Sequence, residues 1–289
     1  MYTIKQAAAR SGVGVSLLRA WERRYGVVSP TRTAGGYRLY DDDAITRLRS
    51  MRQLVDGGWA ASQAAEAVLA GLTEPPVPPP STVAAYADVE AFLTAVASYD
   101  TVGIDSVLDA FFSRGSFEAV VDDLVLPAVA ALGHAWASGR IDVAAEHLAS
   151  ATVQRRLAAL FDLGGAPGVG ATVVVGLPPG CRHEIGTLAF AVALRRQGVN
   201  VLYLGPDVPI ASWVHVVTER PTAAVVIGVA LPDDIGPADA VALAIHEARP
   251  RVVIALGGPA AGAAASDVRI LADRVSDAAL EVAGLVRAR

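Results

Sequence analysis

Hydrophobic positions recur along this chain with more than one period, and each change of period marks a boundary. The first seventy residues hold short amphipathic blocks. Ile4 to Arg10 reads as a helix that Thr3 can cap, Ser11-Gly12-Val13-Gly14 as a tight turn, and Val15 to Arg24 as a second helix stopped by Gly26. Arg32-Thr33-Ala34-Gly35-Gly36-Tyr37-Arg38-Leu39-Tyr40 follows, and its two glycines allow a sharp hairpin. Asp41 to Asp43 can cap a third helix that ends at Gly57-Gly58. Residues 83–162 change character to long Ala/Leu/Val-rich helical stretches with few internal Gly or Pro.

A further change follows the break Gly164 to Gly170. Thr172 to Gly176, Val199 to Gly205, Ala224 to Val229 and Val252 to Gly257 are short, continuously apolar, β-branched runs that predict buried strands. Helical segments lie between them near 184–197, 209–220 and 237–248. Such alternation implies a doubly wound parallel sheet, whose ligands bind at the carboxyl ends of the strands. The clearest linker is Leu72 to Thr82, LTEPPVPPPST, where five prolines favour an extended spacer. The expected organisation is an N-terminal helical head at 1–71, a linker at 72–82, a helical domain at 83–165 and an α/β domain at 166–289. The fold class is thus multidomain, α followed by α/β.

Charge changes the picture once it is assigned to these regions. The 289 residues carry a formal net charge of −5, which alone argues against a nucleic-acid partner. Residues 1–70, however, hold ten basic and six acidic side chains, or +4, and the remainder holds fourteen and twenty-three, or −9. A basic head sits on an acidic body. The single cysteine, Cys181, excludes an intramolecular disulfide and suits a reducing compartment. No signal peptide is visible, and the uncharged stretch Leu163 to Cys181 is too rich in Gly and Pro for a membrane helix. A soluble cytoplasmic protein with no membrane partner is expected.

In the head, two short helices around a Gly-containing turn make a helix-turn-helix, whose second helix enters the DNA major groove. Arg19 and Arg23 are four apart on that helix and share a face, with Arg24 beside them. Any one of these arginines can equally belong to a solvated helix face. The ordered series of helix, turn, Arg-bearing helix and Arg/Gly/Tyr hairpin is what points to DNA. The stretches TIKQAAARSGVGVSLLRAWERRYG and PTRTAGGYRLY resemble the winged helix-turn-helix of the MerR family of transcription regulators. That resemblance makes Arg19, Trp21, Arg23, Arg32, Tyr37 and Arg38 DNA contacts or their immediate supports. Trp21 and Leu18 can equally be packing residues. A wing of this kind mostly meets phosphates, so it governs affinity and salt dependence more than sequence choice. Many members bind metals through cysteines; with one distant Cys, a metal sensor is not expected here.

The body carries a second set of motifs. The first strand of the α/β domain runs into Leu177-Pro178-Pro179-Gly180-Cys181-Arg182-His183-Glu184-Ile185-Gly186. Forty-one residues separate Gly186 from Gly228-Val229-Ala230, and another 26 separate Ala230 from Gly257-Gly258. A lone loop histidine is most simply a surface residue. This spacing, however, resembles cobalamin-binding domains of the methionine synthase type, with acid-x-His-x-x-Gly, then Ser-x-Leu, then Gly-Gly. By that resemblance His183 is the lower cobalt ligand, Gly186 permits close approach, and Gly228, Gly257 and Gly258 line a slot for the displaced nucleotide tail. Imidazole suits cobalt, and small residues keep such a slot open. Cys181 replaces the usual acid, and Gly228 and Ala230 replace Ser and Leu. Cys181 as a reactive thiol that attaches another chromophore is the alternative.

Upstream, Trp136 is followed after nine residues by Glu146-His147. This resembles the Trp-x9-Glu-His signature of the cobalamin-dependent photoreceptor repressors of the CarH/LitR group. Without the resemblance, Trp136 reads as a core aromatic and Glu146-His147 as a solvated helix turn. With it, a four-helix bundle caps the upper face of adenosylcobalamin, with Trp136 against the adenosyl group and Glu146 and His147 lining its pocket. Ala137 stands where the best-known members carry a histidine. The resemblance implies a repressor, not an enzyme, whose homo-oligomer (dimer or tetramer) and grip on double-stranded operator DNA respond to adenosylcobalamin and light. The rivals are a cobalamin-independent regulator with a degenerate sensor domain and a corrinoid carrier protein for methyl transfer. A dinucleotide oxidoreductase is disfavoured, because no Gly-x-Gly-x-x-Gly follows the first strand of this chain.

Overall fold

The computed structural model describes residues 1–32, 38–56, 61–69, 80–164, 172–263 and 268–287. The chain forms two compact units, Met1–Tyr86 and Ala87–Arg289. Of the proline-rich linker, residues 72–79 lie outside the described residues.

In the first unit, β1 (Tyr2–Thr3) leads into α1 (Ile4–Ser11). Thr3 and Gln6 form a reciprocal capping box, and Gly12, at φ 73°, closes the helix. The second helix, α2 (Val15–Tyr25), ends in the same way at Gly26, φ 63°. β2 (Thr31–Arg32) and β3 (Arg38–Tyr40) pair antiparallel, Thr31 with Leu39 and Arg32 with Arg38, and β1 adds to the far side of β3. Asp41 accepts the Ala44 amide at 2.8 Å and starts α3 (Asp42–Asp56), which α4 (Ala61–Leu69) follows. Leu18, Trp21, Tyr40, Leu48 and Met51 form the core of this unit. Leu18 and Trp21 are three apart, so α2 turns one stripe inward and leaves Arg19 and Arg23 exposed.

The helix α5 (Pro80–Ala97) spans the division at 86/87 and starts on a proline, where no amide is needed. α6 (Thr101–Phe112), α7 (Phe117–Val120) and α8 (Leu126–Ala137), then α9 (Val143–Leu163), complete a four-helix bundle. A wider π turn, Val121–Val125, joins α7 to α8 just before Pro127, which has no amide to return to the preceding turn. Among the described residues, Phe117–Ala137 is the one helical run long and apolar enough to cross a membrane. Here it is a bundle helix, with Val121, Leu124, Val125 and Leu132 buried.

The α/β domain contains β4 (Thr172–Gly176), β5 (Val201–Gly205), β6 (Thr222–Gly228), β7 (Val253–Gly257) and β8 (Arg269–Ile270), parallel throughout, in the order β5-β4-β6-β7-β8. The helices α10 (Ile185–Arg196), α11 (Ile210–Glu219), α12 (Ile235–Ala248) and α13 (Val275–Arg287) cover it. Val174, Val225, Ile227 and Leu256 pack with Trp213, Val217, Val241 and Ile245 of α11 and α12. Their strand neighbours Val173, Val175, Val226 and Ala255 are equally buried on the other face, where α10 and α13 pack together and α9 packs on α10. The order reverses at β4: β5 lies on one side of it and β6 on the other, so the carboxyl ends of β4 and β6 flank the switch point. β8 and α13 were not anticipated; a two-residue strand beginning with arginine has no readable period.

The bundle and the sheet are tied together. Asp122, in the π turn, has its side chain only 3% exposed. It accepts the Val275 and Ser276 amides at 2.8 and 3.1 Å and so caps α13 from the bundle side. Arg274 bonds Asp123 at 3.0 Å, and Arg196 of α10 bonds Glu118 at 2.8 Å. Replacing Asp122 by Ala strands two helix amides, and the expected cost is about 1–3 kcal/mol. Asp123→Ala, at an exposed ion pair, should cost under about 1 kcal/mol. Thermal unfolding followed by circular dichroism should place the Asp122→Ala midpoint several degrees below that of Asp123→Ala; equal midpoints would remove the cap as a tie.

Candidate functional site

In the head, the exposed face of α2 presents Arg19 and Arg23. Glu22, between them, turns toward the strands. Its carboxylate accepts Arg38 Nε at 2.9 Å and the Tyr40 hydroxyl at 2.9 Å. Burial first, then the Glu22 bond, pushes the Tyr40 phenol well above its ordinary range, so it stays a donor. Arg38 is thereby held on the recognition helix and serves as a support for the wing. Arg49 and Arg52 of α3 donate to the Arg10 and Gly12 carbonyls, which end α1, and Arg10 lies over the Tyr2 ring. Trp21 is only 3% exposed. Of the readings left open for Trp21, its burial in the core with Leu18 favours a packing residue that supports α2 over a direct DNA contact. Tyr37 and the Arg32 side chain lie outside the described residues. Glu22 was missed in the sequence; its signal is a single acid among Arg19, Arg23 and Arg24.

At the switch point, the loop Leu177–Glu184 is braced by the loop after β5. Asp207, at φ 55°, donates its amide to the Cys181 carbonyl at 3.0 Å and accepts the Gly180 amide at 2.6 Å. Val208 donates to the Leu177 carbonyl at 3.1 Å, and Arg182 lies 3.7 Å from Asp207. His183 stands exposed at the end of this loop, directly before α10. Its neighbour Glu184 accepts the Tyr203 hydroxyl at 2.7 Å. Asp234, buried beyond the end of β6, accepts the Ala230 and Leu231 amides at 3.1 and 2.9 Å.

Cys181 is buried, and burial, reinforced by Asp234, pushes its thiol up to about 12. A buried, protonated thiol is a poor nucleophile. Burial of Cys181 speaks against the alternative of a reactive, chromophore-bearing cysteine.

The glycines at the strand ends differ in what holds them. Gly228 and Gly257 are register partners across β6 and β7. Gly258, at φ 118°, would bring a β-carbon within 2.5 Å of the Val229 carbonyl oxygen, so the backbone itself requires glycine. A β-carbon on Gly228 would fall on the Thr187 hydroxyl. One on Gly257 would make only ordinary contact with Leu271, and one on Gly186 would meet nothing within 4 Å. The fold thus brings Gly228, Gly257 and Gly258 into one wall, and Thr187 joins it to the start of α10, where Gly186 leaves open space.

In the bundle, Trp136 occupies the last turn of α8 and is 52% exposed, so it is not a core aromatic. Glu146 and His147 sit in the first turn of α9, which Asp142 caps by accepting the Ala145 amide at 2.9 Å. Ser150 donates to Glu146 at 2.6 Å, and His147 Nε2 lies 3.6 Å from the same carboxylate. Tyr99 donates to Asp142 at 2.6 Å and Arg140 bonds Glu90 at 2.7 Å, pinning the turn between α8 and α9.

Residues 2–70 match the MerR HTH family of regulatory proteins, and residues 89–161, the bundle, match the B12 binding domain. The HTH-type transcriptional repressor CarH of Myxococcus xanthus is 38% identical over 217 residues, 72% of each chain. The chain belongs to the CarH-like family of MerR-type transcriptional regulators. A second relative, the repressor CarA of the same organism, is 33% identical over 72% of this chain and 69% of its own. The monomethylamine corrinoid protein of Methanosarcina barkeri covers 67% of this chain and 96% of its own, with a TM-score of 0.55 at 13% identity, a likeness of fold. The B12 match of this CarH-like chain rests on the bundle and is independent of the substitutions at Cys181 and Gly228. The residues fit a corrinoid: a half-exposed indole on the bundle, an exposed imidazole at the switch point, and a wall of strand-end glycines.

The thiol offers a direct check on this CarH-like site. At pH 8 only about one part in ten thousand of a thiol titrating near 12 is ionised. Cys181 should therefore react with a thiol reagent orders of magnitude more slowly in the native protein than in guanidinium. Native labelling at the rate of a free cysteine overturns the buried-thiol description.

Proposed function

We propose that this chain is a cytoplasmic repressor whose assembly and hold on operator DNA are set by adenosylcobalamin and light. The observation that carries the reading is the union, in one chain, of a MerR-type head and a B12-binding bundle whose Trp136 is left half exposed. Adenosylcobalamin supplies a cobalt–carbon bond that visible light breaks. The chain's own residues do the rest. His183 offers an imidazole from a braced loop. Gly186 leaves open space beside the loop, and Gly228, Gly257 and Gly258, with the Thr187 hydroxyl over Gly228, form the wall along which the nucleotide tail would lie. Trp136, Glu146 and His147 cover the adenosyl side.

Arg19 and Arg23, with Arg32 and Tyr37, hold DNA mainly through its phosphates, while Arg38, paired with Glu22, supports the wing. The homo-oligomer, a dimer or tetramer, presents several heads at once, and linkage raises the effective concentration of each for the operator. No enzymatic step is part of this role. A second reading, a regulator that has dispensed with the ligand, draws on Cys181, Gly228 and Ala137. A corrinoid carrier has no use for the basic head.

One experiment separates these. The purified protein is loaded with adenosylcobalamin in the dark, freed of excess by gel filtration, and its absorption recorded before and after green light. Retained corrinoid with a light-dependent spectrum and a change in elution volume is the expected result. Protein free of corrinoid favours the ligand-independent regulator. His183→Ala should alter the dark spectrum; an unchanged one removes His183 as lower ligand.

On the DNA side, Arg19→Ala should weaken operator binding about tenfold or more, and wild-type affinity should fall steeply between 50 and 200 mM salt, as about six or more phosphate contacts require. A flat salt response and an unaffected Arg19→Ala variant in a gel-shift titration would sink the assignment of the head.

A further inference from the structure

A threonine hydroxyl lies against the wall of strand-end glycines and takes no part in the bracing of the loop described above. Gly228 closes β6 beside the switch point, where the cobalamin-binding domains this chain resembles carry a serine. Glycine there reads at first as a lost hydroxyl. The structure gives the position a different content. The place of a side chain on Gly228 is filled by the Thr187 hydroxyl, reaching over from the first turn of α10, and the Leu177 side chain lies 3.3 Å away. Serine at 228 and threonine at 187 cannot both stand here without one yielding. The glycine is what admits the threonine.

Thr187 is half-buried, and among the described residues its hydroxyl has no hydrogen-bond partner. A threonine in a helix commonly returns its hydroxyl to the carbonyl of the preceding turn. This one is turned to the strand end instead. A hydroxyl offers one donor and two acceptor sites, and leaving them unmet in a half-dry place is unfavourable. The group sits at the carboxyl edge of a parallel sheet, where ligands bind such folds. Beside it is Gly228, whose register partner across the sheet is Gly257, and Gly186 precedes it by one residue.

We propose that Thr187 supplies the hydroxyl that binds a polar atom of the corrinoid's nucleotide tail, taking over from the helix a contact that related domains make from the strand. The inference rests on the corrinoid reading of the site and names a residue that sets specificity for a complete cobalamin over a tail-less corrinoid.

The test is a dark equilibrium titration of the full chain with two probes, adenosylcobalamin and adenosylcobinamide, which lacks the nucleotide tail. Thr187→Val keeps the shape and removes the hydroxyl. It should weaken adenosylcobalamin about tenfold and leave adenosylcobinamide unchanged, the loss of one hydrogen bond. Thr187→Ser should stay near wild type, and Thr187→Ala combined with Gly228→Ser, which returns the hydroxyl to the strand, should recover most of the affinity lost in Thr187→Ala alone. Equal weakening of both probes, or of neither, by Thr187→Val overturns the proposal while leaving the corrinoid reading intact. A wild-type chain that binds neither probe removes the corrinoid reading itself, and the role of Thr187 with it. Melting curves of each variant identify a fold defect, in which case the threonine-to-serine and double variants decide the question.

Discussion

A parallel sheet must be covered on both faces, and that requirement organises the larger unit. One face of the sheet is closed by α11 and α12, through Trp213, Val217, Val241 and Ile245. The other is closed by α10 and α13, and these are backed by the bundle through α9 and through the Asp122 cap on α13. The bundle is therefore not an independent appendage to the α/β domain. Its π turn supplies the partner for two helix amides that would otherwise be stranded, and Glu118 holds Arg196 on α10. Any displacement of α7 and α8 relative to the sheet has to break a buried carboxylate away from α13. A cap that moves during signalling would work against that tie.

Much of this was legible in the residues, and the exceptions share a cause. β4 occupies Thr172–Gly176 as its β-branched run predicts, and Gly26 stops α2 as its backbone freedom allows. Such features depend on neighbours in sequence. Trp21 was half legible: its spacing of three from Leu18 marks a buried stripe, while its place among arginines suggested a contact. Asp122, Glu22, Asp234 and Thr187 were not legible. Each acts on a group brought near only by the fold, Asp122 on amides more than 150 residues away. Periodicity carries no information about such pairs. The wall at Gly228 is the sharpest case, since the residue that explains the glycine lies on another element.

The substitution at Cys181 illustrates the same point from the other side. Read along the chain, loss of an acid two residues before His183 weakens the support of that histidine. In the fold, the loop is held chiefly through backbone groups and Asp207, from Gly180, Cys181 and Val208. The side chain at 181 is buried near Asp234, where a neutral thiol is easier to bury than a second carboxylate. The geometry that carries His183 thus tolerates cysteine. What cysteine cannot provide is a strong acceptor for an imidazole N–H, so the tuning of any ligand bond differs even where the loop keeps its shape.

Net charge is the last quantity that structure redistributes. The head's ten basic groups are not equivalent. Arg38 is paired with Glu22, Arg49 and Arg52 are spent on the carbonyls that end α1, and Arg10 lies on Tyr2. These arginines build the scaffold and shape the local field, whereas Arg19 and Arg23 sit on the exposed face of α2. A weak single-head affinity is the regime in which assembly can control occupancy. Were each head to bind tightly alone, gain or loss of an oligomer would change little. On the proposed reading, a modest head joined to a ligand-binding body would let assembly of the body act as the switch.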